Sequence, residues 1–188
     1  MVKELKSYEF KRALYVGRFQ PFHLGHLKAI KDIVGKAEEL VVAIGSAQYG
    51  FDSLNPFTGG ERLTMILLAL NEAKVDPAKY LVVPIPDLHR PIVWVSWVVS
   101  LVGCFDVVFS NEPVTVRVFK EKGYRVEPVP LYRQELYSGS EIRRRIREDE
   151  EWRDLVPKSV ASYIESLDGV SRIKDLHANN NLSRTSTR

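Results

Sequence analysis

Arg12-Ala-Leu-Tyr-Val-Gly17 runs directly into Arg18-Phe-Gln-Pro-Phe-His-Leu-Gly-His26. The first six residues are a short apolar run closed by glycine and read as a buried strand. From Leu24 to Ala37 the apolar residues Leu27, Ile30, Ile33 and Val34 recur at helical spacing. The turn between them leaves a strand at its carboxyl end, where open parallel sheets bind ligands. Gly17 lets backbone approach such a ligand, Arg18 is a permanent cation, and Pro21 stiffens the turn. His23, Gly25 and His26 fall where the helix starts, and the free N–H groups and positive dipole end there favour an anion. Gly25 presents no side chain to block a phosphate, and both imidazoles can donate hydrogen bonds to phosphoryl oxygens. The plainer alternative is that each histidine makes only local contacts at a helix start. A metal site is a further alternative, but no third His or Cys ligand stands nearby.

Working outward, Glu39–Gly45, Tyr80–Ile85, Phe105–Ser110 and Tyr124–Val129 read as four more strands. Gly60–Ala73 and Pro113–Lys122 read as helices, and Ser46–Thr58 as a loop rich in turn residues. Between Pro91 and Val102 the valines favour a strand, while the length and the spacing of Trp94, Trp97, Val98 and Leu101 favour a helix. Strands separated by helical segments predict an α/β fold on a five-stranded parallel sheet with right-handed crossovers. Beyond Ser138 the chain turns helical to about Leu176. One domain over residues 1–177 is expected, with 138–177 as its C-terminal helical part. The polar segment 178–188 is expected to be a flexible tail.

The 188 residues are 45% hydrophobic and 27% charged with a net charge of +3, which excludes disordered, collagenous and disulfide-scaffold classes. The small charge, with aromatics not interleaved among basic residues, argues against nucleic acid as a partner. Cys104 is the sole cysteine, so a reducing compartment is expected. Met1–Tyr8 has no apolar run of the signal-peptide kind. The greasiest segment, Ile92–Phe105, is shorter than the roughly 20 residues of a membrane span. A soluble cytoplasmic protein with no membrane partner is expected.

A second anion-binding element is Tyr137-Ser-Gly-Ser-Glu-Ile-Arg-Arg-Arg145. Ser138 or Ser140 can cap a helix, and Glu141 fits its acidic first turn. On the functional reading the hydroxyls and N–H groups face phosphate, with Arg143 one turn in and able to grip it bidentately. On the plainer reading this is an ordinary helix start with solvated arginines. Neither the G-x-x-x-x-G-K-[ST] phosphate loop nor the G-x-G-x-x-G dinucleotide turn is present.

The pairing of G-x-F-x-P-x-H-x-G-H with a late S-x-S-x-x-R resembles the nucleotidyltransferase superfamily that shares the H-x-G-H signature. GRFQPFHLGHLKAI, IGSAQ, NPFTGGER, the Trp94 segment and YSGSEIRRRI resemble the archaeal-type nicotinamide-nucleotide adenylyltransferases, over Leu14 to Leu176. The resemblance implies a Rossmann-like doubly wound sheet and an enzyme of NAD biosynthesis. The reaction would join nicotinamide mononucleotide to the AMP part of ATP, giving NAD and pyrophosphate, with Mg2+ carried by the ATP phosphates and no metal ligand from protein side chains. It implies no tightly bound organic cofactor and a homo-oligomer. His23, His26, Arg18 and Arg143 would be the catalytic residues. Gly17, Phe19, Gly25, Ser138, Gly139 and Ser140 would join them in binding ATP. Ser46, Asp87, Trp94 and Asn111 would bind the nicotinamide nucleotide, with Trp94 stacking on the ring. Read as ordinary residues, Trp94 and Trp97 would be core, and Asp87 and Asn111 would be turn residues. Arg62 is expected to pair with structural carboxylates.

One departure stands out. Related sequences often carry a basic residue in the loop after IGSAQ, and Tyr49–Asn55 has none. Either another arginine such as Arg133 supplies that charge, or ATP is held by one contact fewer. The competing functions are another adenylyl or cytidylyl transfer, to a flavin or pantetheine-phosphate acceptor, and a nucleotide-binding module without turnover. The H-x-G-H motif also occurs in class I aminoacyl-tRNA synthetases, whose added domains this length cannot hold.

Overall fold

The computed structural model describes residues 7–88, 90–130, 132–133 and 135–185. Five strands form one sheet: β1 (Phe10–Gly17), β2 (Ala37–Ile44), β3 (Tyr80–Pro84), β4 (Val107–Phe109) and β5 (Arg125–Glu127). Their order is β3-β2-β1-β4-β5 and every pairing is parallel. The order reverses between β1 and β4, so a crevice opens beyond their carboxyl ends. Gly17 ends β1 opposite Ile44, while Tyr15 pairs with Phe109. That register sets Ser110, Asn111 and Glu112 beside Val16 and Gly17.

The strands read as continuous apolar runs because both sheet faces are covered. Alternate residues serve two cores. Ala13, Tyr15, Leu40, Val42, Ile44, Val107 and Phe109 face one core, and Leu14, Val41, Ala43 and Val108 the other. The first core is closed by α1 (Leu24–Lys36), α2 (Gly59–Glu72) and the C-terminal helices. The second is closed by α3 (Pro91–Val102) and α4 (Pro113–Glu121).

The ambiguous segment is therefore helix. Pro91 occupies its first turn, where a missing N–H costs nothing, and Trp94, Val95, Val98 and Val102 form its buried arc. Trp97, expected in the core, is 37% exposed. At 100° per residue it lies roughly 60° outside that arc. The C-terminal helical part comprises α5 (Gly139–Arg147), α6 (Lys158–Ser166) and α7 (Gly169–Thr185). Left-handed residues Asp149 (φ 57°) and Asp168 (φ 53°) break the run. Glu72 caps α6 by accepting from Lys158 N at 3.3 Å and Ser159 N at 2.8 Å. Helical backbone continues into the segment expected to be a flexible tail, as far as Thr185, and 186–188 lie outside the described residues. Among the described residues no helix is long and apolar enough to cross a membrane.

Candidate active site

His23 and His26 cap α1 reciprocally. His26 N donates to His23 Nδ1 at 3.2 Å, and His23 N donates to His26 Nδ1 at 3.3 Å. Both Nδ1 atoms are thus acceptors, which places each ring proton on Nε2. The rings stack with centroids 3.4 Å apart, and Phe19 and Phe22 pack on His26 with centroids at 4.7 and 5.5 Å. Burial pushes the His23 pKa down to about 3. It holds His26 well below its ordinary value too, and the neighbouring His23 adds to that. Two stacked cations would repel, so this pair is neutral and offers two Nε2–H donors. Local capping, which the sequence reading set against phosphate donation, uses only the Nδ1 atoms and leaves both Nε2–H groups available.

The histidines line a chamber of about 260 Å³ with Gly17, Gly25, Asn111, Glu112, Tyr132, Tyr137, Ser138 and Gly139 among its walls. Ser138 caps α5, its Oγ accepting from Glu141 N at 3.2 Å and lying 3.2 Å from Ser140 Oγ. A Cβ at Gly139 would sit 2.5 Å from the Gln20 carbonyl oxygen, and one at Gly25 2.9 Å from Tyr137 Cβ. The two helix starts can face each other only because both positions are glycine. Arg143 donates to the Gln20 carbonyl and stands just outside the Gly139 wall. Burial pushes its pKa down to about 10, with Arg18 and Arg147 adding like charge.

A second chamber, of about 580 Å³, shares Val16, Gly17 and Glu112 with the first and adds Arg18, Ser46, Asp87 and Trp94. Ser46 donates to both Asp87 carboxylate oxygens, from N at 3.1 Å and from Oγ at 2.6 Å. Trp94 is 8% exposed and meets Phe119 edge-on with centroids 5.9 Å apart. It is therefore both a core residue and a wall of the chamber. Glu112 caps α4 through Val114 N and Thr115 N. Burial opposes its ionisation, but those N–H groups and Arg18 hold its pKa below the usual carboxylate value.

Several expected residues fall elsewhere. Arg18, expected with ATP, lines the Trp94 chamber and not that of the histidines, and Phe19, buried in the core, and Ser140 line neither. Asn111 lines the histidine chamber, not that of Trp94, and its amide is engaged with Val129, donating to the carbonyl at 2.7 Å and accepting from N at 3.0 Å. Arg133 is solvent-exposed, 3.8 Å from Glu135, and among the described residues it lines neither chamber. Arg62 corrects the expected ion pair. Fully buried, it donates to the carbonyls of Arg18, Gly45, Ser46 and Thr58 at 2.8–3.2 Å. These oxygens belong to three loop ends, which one planar five-donor group gathers, and burial pushes its pKa down to about 10.

Gln20 and Gln48 went unnoticed in sequence. Gln20 pairs its amide with the Phe57 backbone at 2.7 and 3.1 Å. Gln48 does the same to Asp87, accepting from N at 2.9 Å and donating to the carbonyl at 3.2 Å. A glutamine in a loop carries no signal for such a clamp, because its partner is distant in sequence.

A parallel sheet reversing at β1/β4, with two helix starts facing each other across the crevice, puts the candidate site at the switch point of an open α/β fold. A model of the cytidylyltransferase-like family matches residues 14–145. The chain is 51% identical over 166 residues to a nicotinamide-nucleotide adenylyltransferase of Methanolobus tindarius, covering 88% of this chain and 94% of that protein. It is 45% identical over 169 residues to one of Thermococcus kodakarensis, covering 90% of each. The chain belongs to the nicotinamide-nucleotide adenylyltransferase family. In fold it is similar to a bifunctional NMN adenylyltransferase/ADP ribose pyrophosphatase from Francisella tularensis, with a TM-score of 0.75 over 92% of this chain at 22% identity. This chain spans 54% of that longer protein, which has also been solved with AMP and a manganese ion.

Proposed function

We propose that this chain transfers the adenylyl group of ATP to nicotinamide mononucleotide. The observation that carries this reading is the pair of chambers meeting at Gly17 and Glu112, one walled by neutral imidazoles and helix starts, the other by an indole and a carboxylate. ATP occupies the histidine chamber with its α-phosphorus near the shared wall. The acceptor lies in the larger chamber, with its pyridinium ring against Trp94, an arrangement favourable to a cationic ring.

An oxygen of the acceptor 5′-phosphate forms the new bond to the α-phosphorus. The bond from that phosphorus to the oxygen bridging to the β-phosphorus breaks, and its electron pair leaves with pyrophosphate. No protein nucleophile takes part, so catalysis is positioning plus charge stabilisation. His26 Nε2–H, with His23 beside it, donates to α-phosphoryl oxygens as charge builds. Arg18 and Arg143 hold the departing pyrophosphate, and Ser138–Ser140 with the α5 N–H groups cap its far end. A divalent cation such as Mg2+, when bound, neutralises part of the triphosphate charge. The donor set here is cationic and N–H rich, suited to phosphate oxygens, so phosphates and water rather than this chain would hold that cation.

The test is NAD formation from ATP and nicotinamide mononucleotide, with flavin mononucleotide, pantetheine phosphate and CTP as competitors. Preferential pyrophosphate release with either other acceptor would replace the nicotinamide assignment. No release with any of them would leave a binding module.

A further inference from the structure

Helix α5 carries arginines at 143, 144, 145 and 147 and treats them in two ways. Arg144 is held by Glu141 and Glu150 at 2.6–2.9 Å. Arg145 is held by Glu141 at 2.8 Å and the Glu151 carbonyl at 2.9 Å. Arg143 and Arg147 are four residues apart, hence on one helix face. Among the described residues neither has a carboxylate partner. Arg143 at least reaches the Gln20 carbonyl. Arg147 has no such contact, and its Nε is buried without a hydrogen-bond partner.

Its charge is also close enough to that of Arg143, together with Arg18, to disfavour protonation there. Arg18 has the Glu112 carboxylate within its influence, but Arg143 and Arg147 share one helix face with no carboxylate partner among the described residues. The acid nearest in effect, Asp52, already accepts from Leu54 N, Asn55 N and Asn55 Nδ2 at 2.7–3.2 Å. Gathering like charges with a buried, unpartnered donor is unfavourable unless an anion completes the set. Loop 49–55 contributes no cation, and Arg133 points to solvent.

We propose that Arg147 is a third cation for the polyphosphate, gripping the terminal phosphoryl group of ATP and the matching end of pyrophosphate. The assignment rests on the adenylyl-transfer reading above. Arg147 lies one helical turn beyond Arg143, away from the histidines at the α-phosphorus. It lines neither chamber itself, so it would meet only the phosphate farthest from the bond that breaks, where the tail of ATP extends past Arg143 and AMP does not.

The experiment compares Arg147→Ala, Arg147→Gln and Arg147→Lys with the unaltered chain. It reads KM for ATP, KM for pyrophosphate in NAD cleavage, AMP affinity by calorimetry, KM for nicotinamide mononucleotide, and Tm without ligand. Loss of one charge-assisted contact should raise both polyphosphate constants roughly tenfold. AMP affinity and the acceptor KM should stay within twofold, lysine should recover part of the loss, and ligand-free Tm should hold or rise. Unchanged polyphosphate constants would overturn the proposal. So would parallel losses on AMP, acceptor and Tm in all three variants, which mark a packing role. If the unaltered chain makes no NAD, calorimetry with pyrophosphate alone still decides Arg147, and only the acceptor reading falls.

Discussion

The histidine chamber and the tryptophan chamber share a wall but are built differently. The first takes its imidazoles and helix starts from two compact motifs: residues 17–26 supply Gly17, both imidazoles and the α1 cap, and residues 137–139 supply the α5 start with Arg143 just outside it, while residues after β4 and β5 complete the wall. The second draws single residues from the ends of β1, β2 and β3 and from α3 and α4. In the proposed arrangement short motifs supply the groups for the phosphates, while scattered residues supply those for the acceptor. A change in the first chamber should alter turnover, and a change in the second should alter acceptor affinity.

The sharpest way to break that division is His26→Ala. Removing an aimed donor to developing charge should lower turnover by ~10²-fold or more, with the acceptor affinity little changed. Single-turnover kinetics with both substrates saturating checks this. Near-normal turnover would take His26 out of the mechanism.

Trp94 tests the other chamber. Its two roles predict two separable losses. Trp94→Ala should cost ~3–5 kcal/mol of stability from the emptied space beside Phe119. It should also weaken nicotinamide mononucleotide by roughly three- to thirty-fold, the value of a cation on an indole face. Trp94→Phe keeps a flat face and should retain most of both. Calorimetric titration with each substrate, alongside Tm, distinguishes the outcomes. If ATP weakens in step with the acceptor, the two chambers are not independent.

Legibility in sequence followed the same division. The five strands and their parallel sense, though not their order, were readable because β1, β2 and β4 are apolar on both faces and alternate with helical segments. The helix at Pro91–Val102 was ambiguous because valine favours strands while only packing against the sheet selects helix. Trp97 was misplaced because its apolar neighbours widen the apparent stripe beyond the arc that packs. His23 and His26 were visible as a motif, yet their tautomers depend on reciprocal capping. Arg62 was expected to meet carboxylates, since burying a guanidinium among carbonyls alone requires loop ends that only the tertiary fold converges. Asn111 sits at the predicted sheet edge but on the other side of the shared wall, a difference of register rather than of composition.

The histidine chamber should also carry a pH signature that the tryptophan chamber lacks. Burial sets the His23 pKa at about 3 and holds His26 well below its usual value, whereas an unfolded histidine titrates near 6.5. Between those values the unfolded chain binds more protons than the folded one, so stability falls as pH drops from 6.5 towards 3. Each histidine contributes at most about 1.4 kcal/mol per pH unit. Denaturant midpoints across that window should fall less steeply in His23→Asn. An unchanged slope would mean that the imidazole is protonated in the fold. Turnover should likewise show no inflection near 6.5 from either ring.

The smallest expected effect belongs to Gln48, and it sharpens the comparison most finely. Gln48 touches no substrate in the proposed arrangement. It fixes the Asp87 backbone by two hydrogen bonds, while Ser46 fixes the carboxylate by two more. Gln48→Ala removes an exposed pair of neutral hydrogen bonds, each worth ~0.5–1.5 kcal/mol at most, and Ser46 still restrains the side chain. The expected result is therefore a rise of roughly threefold in KM for nicotinamide mononucleotide, with KM for ATP and Tm unchanged. Gln48→Glu should do the same, because a carboxylate can accept from Asp87 N but cannot donate to its carbonyl and brings like charge beside Asp87. An equal rise for ATP would show that the loop after β2 serves both chambers as one rigid piece, through the Ser46 carbonyl that Arg62 holds. A rise confined to the acceptor would show that the wall at Gly17 and Glu112 separates the two chambers mechanically as well as in space.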